Sequence, residues 1–315
     1  MLTRRVSASQ CVRQAVGRTL MRFMDTTASS DDYESILNTV KARSVDYYYA
    51  GCVLPDCMKV PFFVSYCFNT EAAVIRDQIN GNVLAGRMRL QWMRDQVSAL
   101  YDKKSPGSTP LFRCVNDMIN QYKWSFCFLD RMIEARETDL NDEPVNTIDD
   151  LCVYGEMVFG SIGYLLMQSF QIEDDSMVEA WRRLTHSMAI STLLRGTPYH
   201  LQHKKSYFPE DLCKKYGIPS ALKCDVQSNE VKNVVKEMTD YALNNYEEIR
   251  PLWKKGCVGR NKEFERLILL GSPSLLFLEQ LKKRKYDVTE KSLSSPFMNV
   301  RLQNRLLKQK SFNRY

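Results

Sequence analysis

Apolar residues recur along this chain three, four and seven positions apart, the stripe that a helix with 3.6 residues per turn lays along one face. Strand-like alternation is scarce, and no series of short apolar runs punctuated by turns occurs. The pattern predicts helices over 31–49, 56–79, 81–101, 109–136, 147–171, 174–194, 209–216, 229–249 and 261–283. Breakers separate several of them: Lys104-Ser105-Pro106-Gly107-Ser108, Asn141-Asp142-Glu143-Pro144, Gly196-Thr197-Pro198 and Gly217-Ile218-Pro219. Asn146 or Thr147 ahead of Asp149 and Asp150 reads as a helix start, with a side chain to cap a free amide and acids to complement the dipole. Pro198 has no amide hydrogen and is expected to end or kink its helix. No internal repeat or shift in composition marks a second domain. The expectation is an all-α chain with a distinct segment at 1–24, one helical domain over 25–291 and a basic, polar extension over 292–315.

Composition changes this picture little. Apolar residues make up 44% and charged residues 26% of the 315, enough to bury a sizeable core. The formal charge of +7 is concentrated at the ends. Residues 1–24 hold Arg4, Arg5, Arg13, Arg18 and Arg22 and no acid; residues 301–315 hold Arg301, Arg305, Lys308, Lys310 and Arg314, again with no acid. Setting those ten aside leaves 34 bases against 37 acids, so the body offers no basic stripe for a nucleic-acid backbone. The run Lys282-Lys283-Arg284-Lys285 reads as a solvated helix face. Contact with ribosomal RNA, if any, falls to the basic termini and would weaken steeply with salt.

The ten cysteines include no Cys-x-x-Cys, and His186, His200 and His203 supply no zinc spacing, so reduced thiols and no metal centre are expected. On a helical wheel Arg4, Arg18 and Arg22 fall opposite Leu2, Val6, Val16, Leu20 and Phe23. That amphipathic, acid-free form is the form of a mitochondrial presequence, with a basic N-terminal helix of the folded protein as the alternative. The longest charge-free stretch, Met157 to Ile172, is 16 residues and falls short of the roughly 20 a membrane span needs. A core helix is expected there, with any membrane contact peripheral.

Several segments in order carry a resemblance. They are Tyr47-Tyr48-Tyr49-Ala50-Gly51 with Leu54-Pro55; Gly86-Arg87-Met88-Arg89-Leu90-Gln91-Trp92; Phe128-Leu129-Asp130; Arg136-Glu137-Thr138-Asp139-Leu140; Tyr154 with Gly160 and Gly163; and Lys205-Ser206-Tyr207-Phe208-Pro209. Together, from about 45 to 290, they resemble the squalene/phytoene synthase family. The resemblance implies an isoprenoid-synthase-like helical bundle around a central cavity. It also implies two Asp-x-x-x-Asp motifs holding magnesium diphosphate, since carboxylates four apart share a helix face and offer the oxygen ligands that magnesium takes.

The chain departs at all four positions. Glu71 and Ile75 stand at the first motif, Gly196 and His200 at the second. Isoleucine and glycine coordinate nothing, histidine is a poor ligand for a hard ion, and Asp77 points about 100° away from Ile75. His200 has no neighbour in sequence that would orient it as a general base. Arg195 and Lys205 remain as residual anion contacts. Phe68-Asn69 with Glu71 and Arg76-Asp77, and Leu194 through His200, look like a mitochondrial branch of the family tied to assembly of respiratory complex I. That branch implies a non-catalytic matrix protein peripheral to the inner membrane, with no cofactor. Its partners would be protein subunits of complex I, while the basic tails of this chain would suit a ribosomal precursor; self-pairing or pairing with a paralogue stays open. A lipid or isoprenoid carrier, and a prenyl transferase with relocated ligands, are the alternatives.

Overall fold

The computed structural model describes residues 27–79, 81–104, 109–220, 224–257 and 262–312, so the presequence-like segment lies outside the described residues. Every regular element among them is helical. In chain order these are α1 (Ser30–Arg43), α2 (Val45–Val53), α3 (Asp56–Gln78), α4 (Val83–Tyr101), α5 (Pro110–Tyr122), α6 (Phe126–Asp139) and α7 (Ile148–Gly155). A π-turn at Glu156–Gly160 leads into α8 (Ser161–Phe170), then α9 (Asp175–Gln202), α10 (Glu210–Lys215) and α11 (Asn229–Cys257). The last α-helices are α12 (Lys262–Leu267), α13 (Ser272–Lys283) and α14 (Pro296–Phe312), with short 3-10 helices at Ile268–Gly271 and Lys291–Leu293. Their contacts form two compact units, 27–140 with Ser161–Ile172, and Asn141–Gly160 with Glu173 onward. The sequence reading placed no boundary inside 25–291.

In the first unit α3 is the central element, packed by α1, α2, α4, α5, α6 and α8. Every residue from Met58 to Thr70 is buried, which is what a helix apolar nearly all round requires. Asp32 and Ser29 form a capping box at the start of α1, and Asp32 also takes two hydrogen bonds from Arg113, at 3.0 and 2.5 Å. The Arg113 hydrogen bonds hold the Asp32 carboxyl at about 2 against burial, which pushes it the other way. A carboxyl held below its unfolded value stabilises the fold at neutral pH, and that contribution is lost as pH falls from about 4 to about 2. Asp32→Asn is expected to cost on the order of 1–2 kcal/mol at pH 7, discounted for the partly exposed guanidinium, and much less near pH 2. Urea unfolding at the two pH values checks this.

In the second unit α9 packs against α7, α11 and α13. The core here gathers Leu151, Ile190, Leu194, Val234, Met238 and Leu278. Thr147 caps α7 with a full capping box to Asp150, the start expected at 146–147. The helix from Ile148 to Phe170 is long and apolar enough to span a membrane, but 67% of its most apolar window is buried inside the protein, so it is a core helix.

Four expectations about the elements are corrected. The helix expected over 31–49 breaks at Ser44 (φ −147°), which turns Tyr47 and Tyr48 into the core. The one expected over 109–136 breaks at Lys123 (φ +56°), where buried Trp124 donates from Nε1 to Ser169 at 2.8 Å. The helix carrying Pro198 does not end there but runs to Gln202: so near the C-terminus the ring removes a single backbone bond, and the following turn closes on its own carbonyls. The stretch read as a polar extension contains α14, which buries Leu302 and Leu306 and pairs Arg305 with Glu279 at 2.9 Å.

Candidate functional site

The charged groups of α6 reach α3 and α4. Arg136 donates to the Asn69 side chain at 2.7 Å, and Arg76 donates to the Asp139 carbonyl and lies 3.8 Å from its carboxylate. Arg94 on α4 donates to both Glu137 oxygens, at 2.7 and 2.8 Å, and to Asp130 at 2.6 Å. Glu137 first, then Asp130, raise its pKa further above the ordinary guanidinium value. Gly86 lets the helices close, since a Cβ there would meet Leu140 Cδ1 at 2.8 Å. Much of the resembling sequence on α4 and α6 therefore builds a helix clamp. Arg94 escaped the sequence reading, although Asp130 and Glu137 sit seven apart on one helical face, a spacing that asks for a shared cation.

At the first motif, α3 presents Cys67, Glu71, Ile75 and Gln78 to a cavity of about 510 Å³ walled also by α1, α4 and α5. Glu71 is half-buried at its edge, while Ile75 is 6% exposed and part of the apolar wall. Asp77 is exposed and does not line the cavity. The site thus pairs one carboxylate with one alkyl group.

At the second motif the Gly196 and His200 positions lock together. A Cβ on Gly196 would lie 2.4 Å from His200 Nε2, so the imidazole occupies the room an aspartate would use. Tyr207 stands across the His200 ring at 4.9 Å and 72°. Arg195 is exposed. Lys205 is buried, with its ammonium 3.4 Å from Asp142 Oδ1 and 5.3 Å above the Tyr207 ring.

A further polar cluster was not legible in the sequence. Glu156, first residue of the π-turn, meets His186 Nε2 at 2.7 Å and Arg182 Nη1 at 3.2 Å, and Arg182 in turn holds Glu179. His186 is 5% exposed, and its Nδ1 has no hydrogen-bond partner among the described residues. A spacing of thirty residues carries no signal by itself, and nothing in the sequence announced the π-turn that places Glu156. Cys67, Cys114, Cys152 and Cys213 are buried thiols, and burial pushes Cys152 and Cys213 up to about 11, so neither is a ready nucleophile. Among the described residues no three His, Cys, Asp or Glu converge as metal ligands. With one carboxylate at the first motif and none at the second, the residues do not fit the magnesium diphosphate of an Asp-x-x-x-Asp pair.

The squalene/phytoene synthase family profile matches residues 40–305. Among relatives, the human protein named NADH dehydrogenase (ubiquinone) complex I, assembly factor 6 is 24% identical over 262 residues, covering 82% of this chain and 76% of its own. Its Dictyostelium discoideum homolog is 24% identical over 290 residues, covering 90% and 80%. Among solved structures, a dehydrosqualene synthase in complex with ligand superposes with a TM-score of 0.74 at 20% identity, over 90% of this chain and 98% of that one. The squalene synthase HpnC from Alicyclobacillus acidocaldarius gives a TM-score of 0.69 at 16% identity, over 88% and 99%. These superpositions give the fold as isoprenoid-synthase-like. With a profile match spanning most of its length, the chain belongs to the squalene/phytoene synthase family.

Proposed function

We propose that this chain serves the assembly of respiratory complex I in mitochondria by holding protein subunits, and carries out no prenyl transfer. The assembly role is supported by relatives that bear that name and align over most of both chains. The observation that carries the loss of chemistry is Ile75, a buried alkyl side chain where the motif needs its second acid. Ionising an allylic diphosphate spreads negative charge over the leaving group, and metal cations gathered by acids normally stabilise it. Glu71 alone gathers none, and Lys205 is already engaged with Asp142. The matrix side of the inner membrane is the expected address, with residues 1–24 as the import signal. Deleting those residues is expected to leave the protein in the cytosol, read by fractionation.

A role at the mitochondrial ribosome instead would draw on the basic ends. In α14, however, Arg305 is paired with Glu279, which leaves less charge for RNA, while Arg301 donates to the neutral Gln280. Removing the protein from cells decides between the two. Blue-native electrophoresis is expected to show severe loss of assembled complex I with the other respiratory complexes retained. Normal complex I, or a ribosomal precursor accumulating in its place, would overturn the reading. Purified protein given an allylic prenyl diphosphate and magnesium is expected to release no diphosphate above the blank. Catalytic turnover would restore the enzyme.

A further inference from the structure

Helix α4 of the first unit exposes large apolar side chains on the face turned away from its core. Helix α4 turns Gly86, Leu90, Met93 and Val97 inward. On its outer side Leu84 is 69%, Met88 66% and Trp92 46% exposed. These three are spaced four apart, so each is offset about 40° from the last and the stripe winds round the helix over about 12 Å. It ends at the cavity beside Glu71, because Trp92 lines that cavity while standing edge-on to Phe112 at 5.4 Å and 81°. Beyond the cavity lies an open hollow of about 620 Å³ that shares Ser35, Thr39 and Glu71 with it. The hollow's charged lining is Asp31, Glu34 and Glu71 against Arg43 alone.

The apolar stripe, a cavity of mixed lining that holds Arg89 beside Trp92, and the acidic mouth thus follow one another along one path. We propose that this path is the docking surface for an amphipathic helix of a partner protein, whose apolar residues at i, i+4 and i+8 cover Leu84, Met88 and Trp92 and whose basic end meets the acidic mouth. The chemistry selects that occupant. A helix of this kind brings an apolar stripe with the same spacing, a large side chain to enter the cavity beside Trp92, and a cation for the acids. An anionic ligand such as a prenyl diphosphate would meet three carboxylates and one arginine at the mouth. The acids supply direction and selectivity more than raw affinity, and the apolar contact supplies most of the binding. This proposal rests on the assembly reading for its biological partner, but the surface can be tested apart from it.

The test uses the full chain and two synthetic amphipathic peptides of about 18 residues, five helical turns. They carry the same leucine stripe, one ending in lysines and the other in glutamates. Fluorescence anisotropy is expected to show the lysine peptide binding at least about tenfold more tightly. Met88→Asp should weaken that binding by about tenfold or more, while its thermal unfolding stays close to wild type because the side chain is already in water. Glu71→Lys, which leaves two acids against two bases at the mouth, should abolish the preference between the peptides. Equal binding of both peptides, or binding indifferent to Met88→Asp, overturns the proposal. So does native mass spectrometry showing a self-dimer that Met88→Asp dissociates, or a bound lipid filling the cavity. Complex I levels in cells separate the two readings. If removing the protein depletes complex I and Met88→Asp restores it fully, the assembly role stands and this surface falls. If the peptide results hold but removing the protein leaves complex I intact, the surface stands and the assembly role falls.

Discussion

Ile75→Asp is expected to destabilise the first unit by about 3 kcal/mol at neutral pH and to restore no magnesium site. The substitution rebuilds the acid spacing of the first motif, with carboxylates at 71 and 75 one helical turn apart. Its cost has two sources. Removing a branched alkyl group that is 6% exposed forfeits apolar burial and leaves a void against the cavity wall, about 2 kcal/mol. The introduced carboxylate is also desolvated and faces Glu71 at the (i, i+4) distance, and both effects raise its pKa in the folded state. An acid whose folded pKa lies above its unfolded value destabilises at high pH, and the penalty fades as pH falls toward the unfolded value near 4. The variant should therefore recover the electrostatic part of its loss on acidification, leaving the apolar part. Urea unfolding at pH 7 and near pH 4.5, with and without millimolar magnesium chloride, measures both parts. Full recovery by magnesium at pH 7 would mean that the ligand geometry survives intact, and would weaken the non-catalytic reading considerably.

The helical class of this fold was legible because the 3.6-residue period is a property of the sequence, and most helix starts announced themselves through proline, glycine or hydroxyl caps. Helix ends set by tertiary packing did not. Lys123 is of a type that continues helices, and Ser44, although the N-cap residue of α2, makes no side-chain cap; the chain turns at both as Tyr47, Tyr48 and Trp124 enter the core. The reverse error arose at Pro198, a residue that looks like a terminator yet costs a single backbone bond so near the end of α9. Helix α14 was hidden by its polarity, since Leu302 and Leu306 make too thin a stripe to stand out among basic neighbours. At the motifs, the sequence showed which acids are absent but not what replaces them. That His200 fills the space above Gly196, or that Arg94 ties α4 to α6, follows from elements far apart in the chain being folded together.

Trp181→Ala is expected to remove about 3–5 kcal/mol from the second unit, the cost typical of a large aromatic cut from a sealed core. Trp181 is fully buried on α9, and its indole Nε1 donates to the Phe159 carbonyl at 3.3 Å. That carbonyl belongs to the π-turn Glu156–Gly160, where the wider backbone loop breaks the regular α-helical ladder. The indole therefore does two jobs: it fills volume between α9 and the turn, and it donates a hydrogen bond to a carbonyl of that turn. Gly155 permits this close approach, because a Cβ there would lie 2.7 Å from Ala189 Cβ and 3.0 Å from the Thr185 carbonyl. Two variants separate the jobs. Trp181→Phe keeps most of the volume and loses the donor, and should cost about 1–2 kcal/mol. Trp181→Ala loses both and should lower the unfolding temperature by roughly 10 °C or more. The Glu156–His186 contact depends on the same turn, so Trp181→Ala should also expose His186 to solvent, visible as faster solvent exchange of its ring protons by NMR. If alanine costs no more than phenylalanine, the hydrogen bond rather than the packing holds the turn. If neither variant moves the transition, the π-turn holds itself and the indole is a passenger.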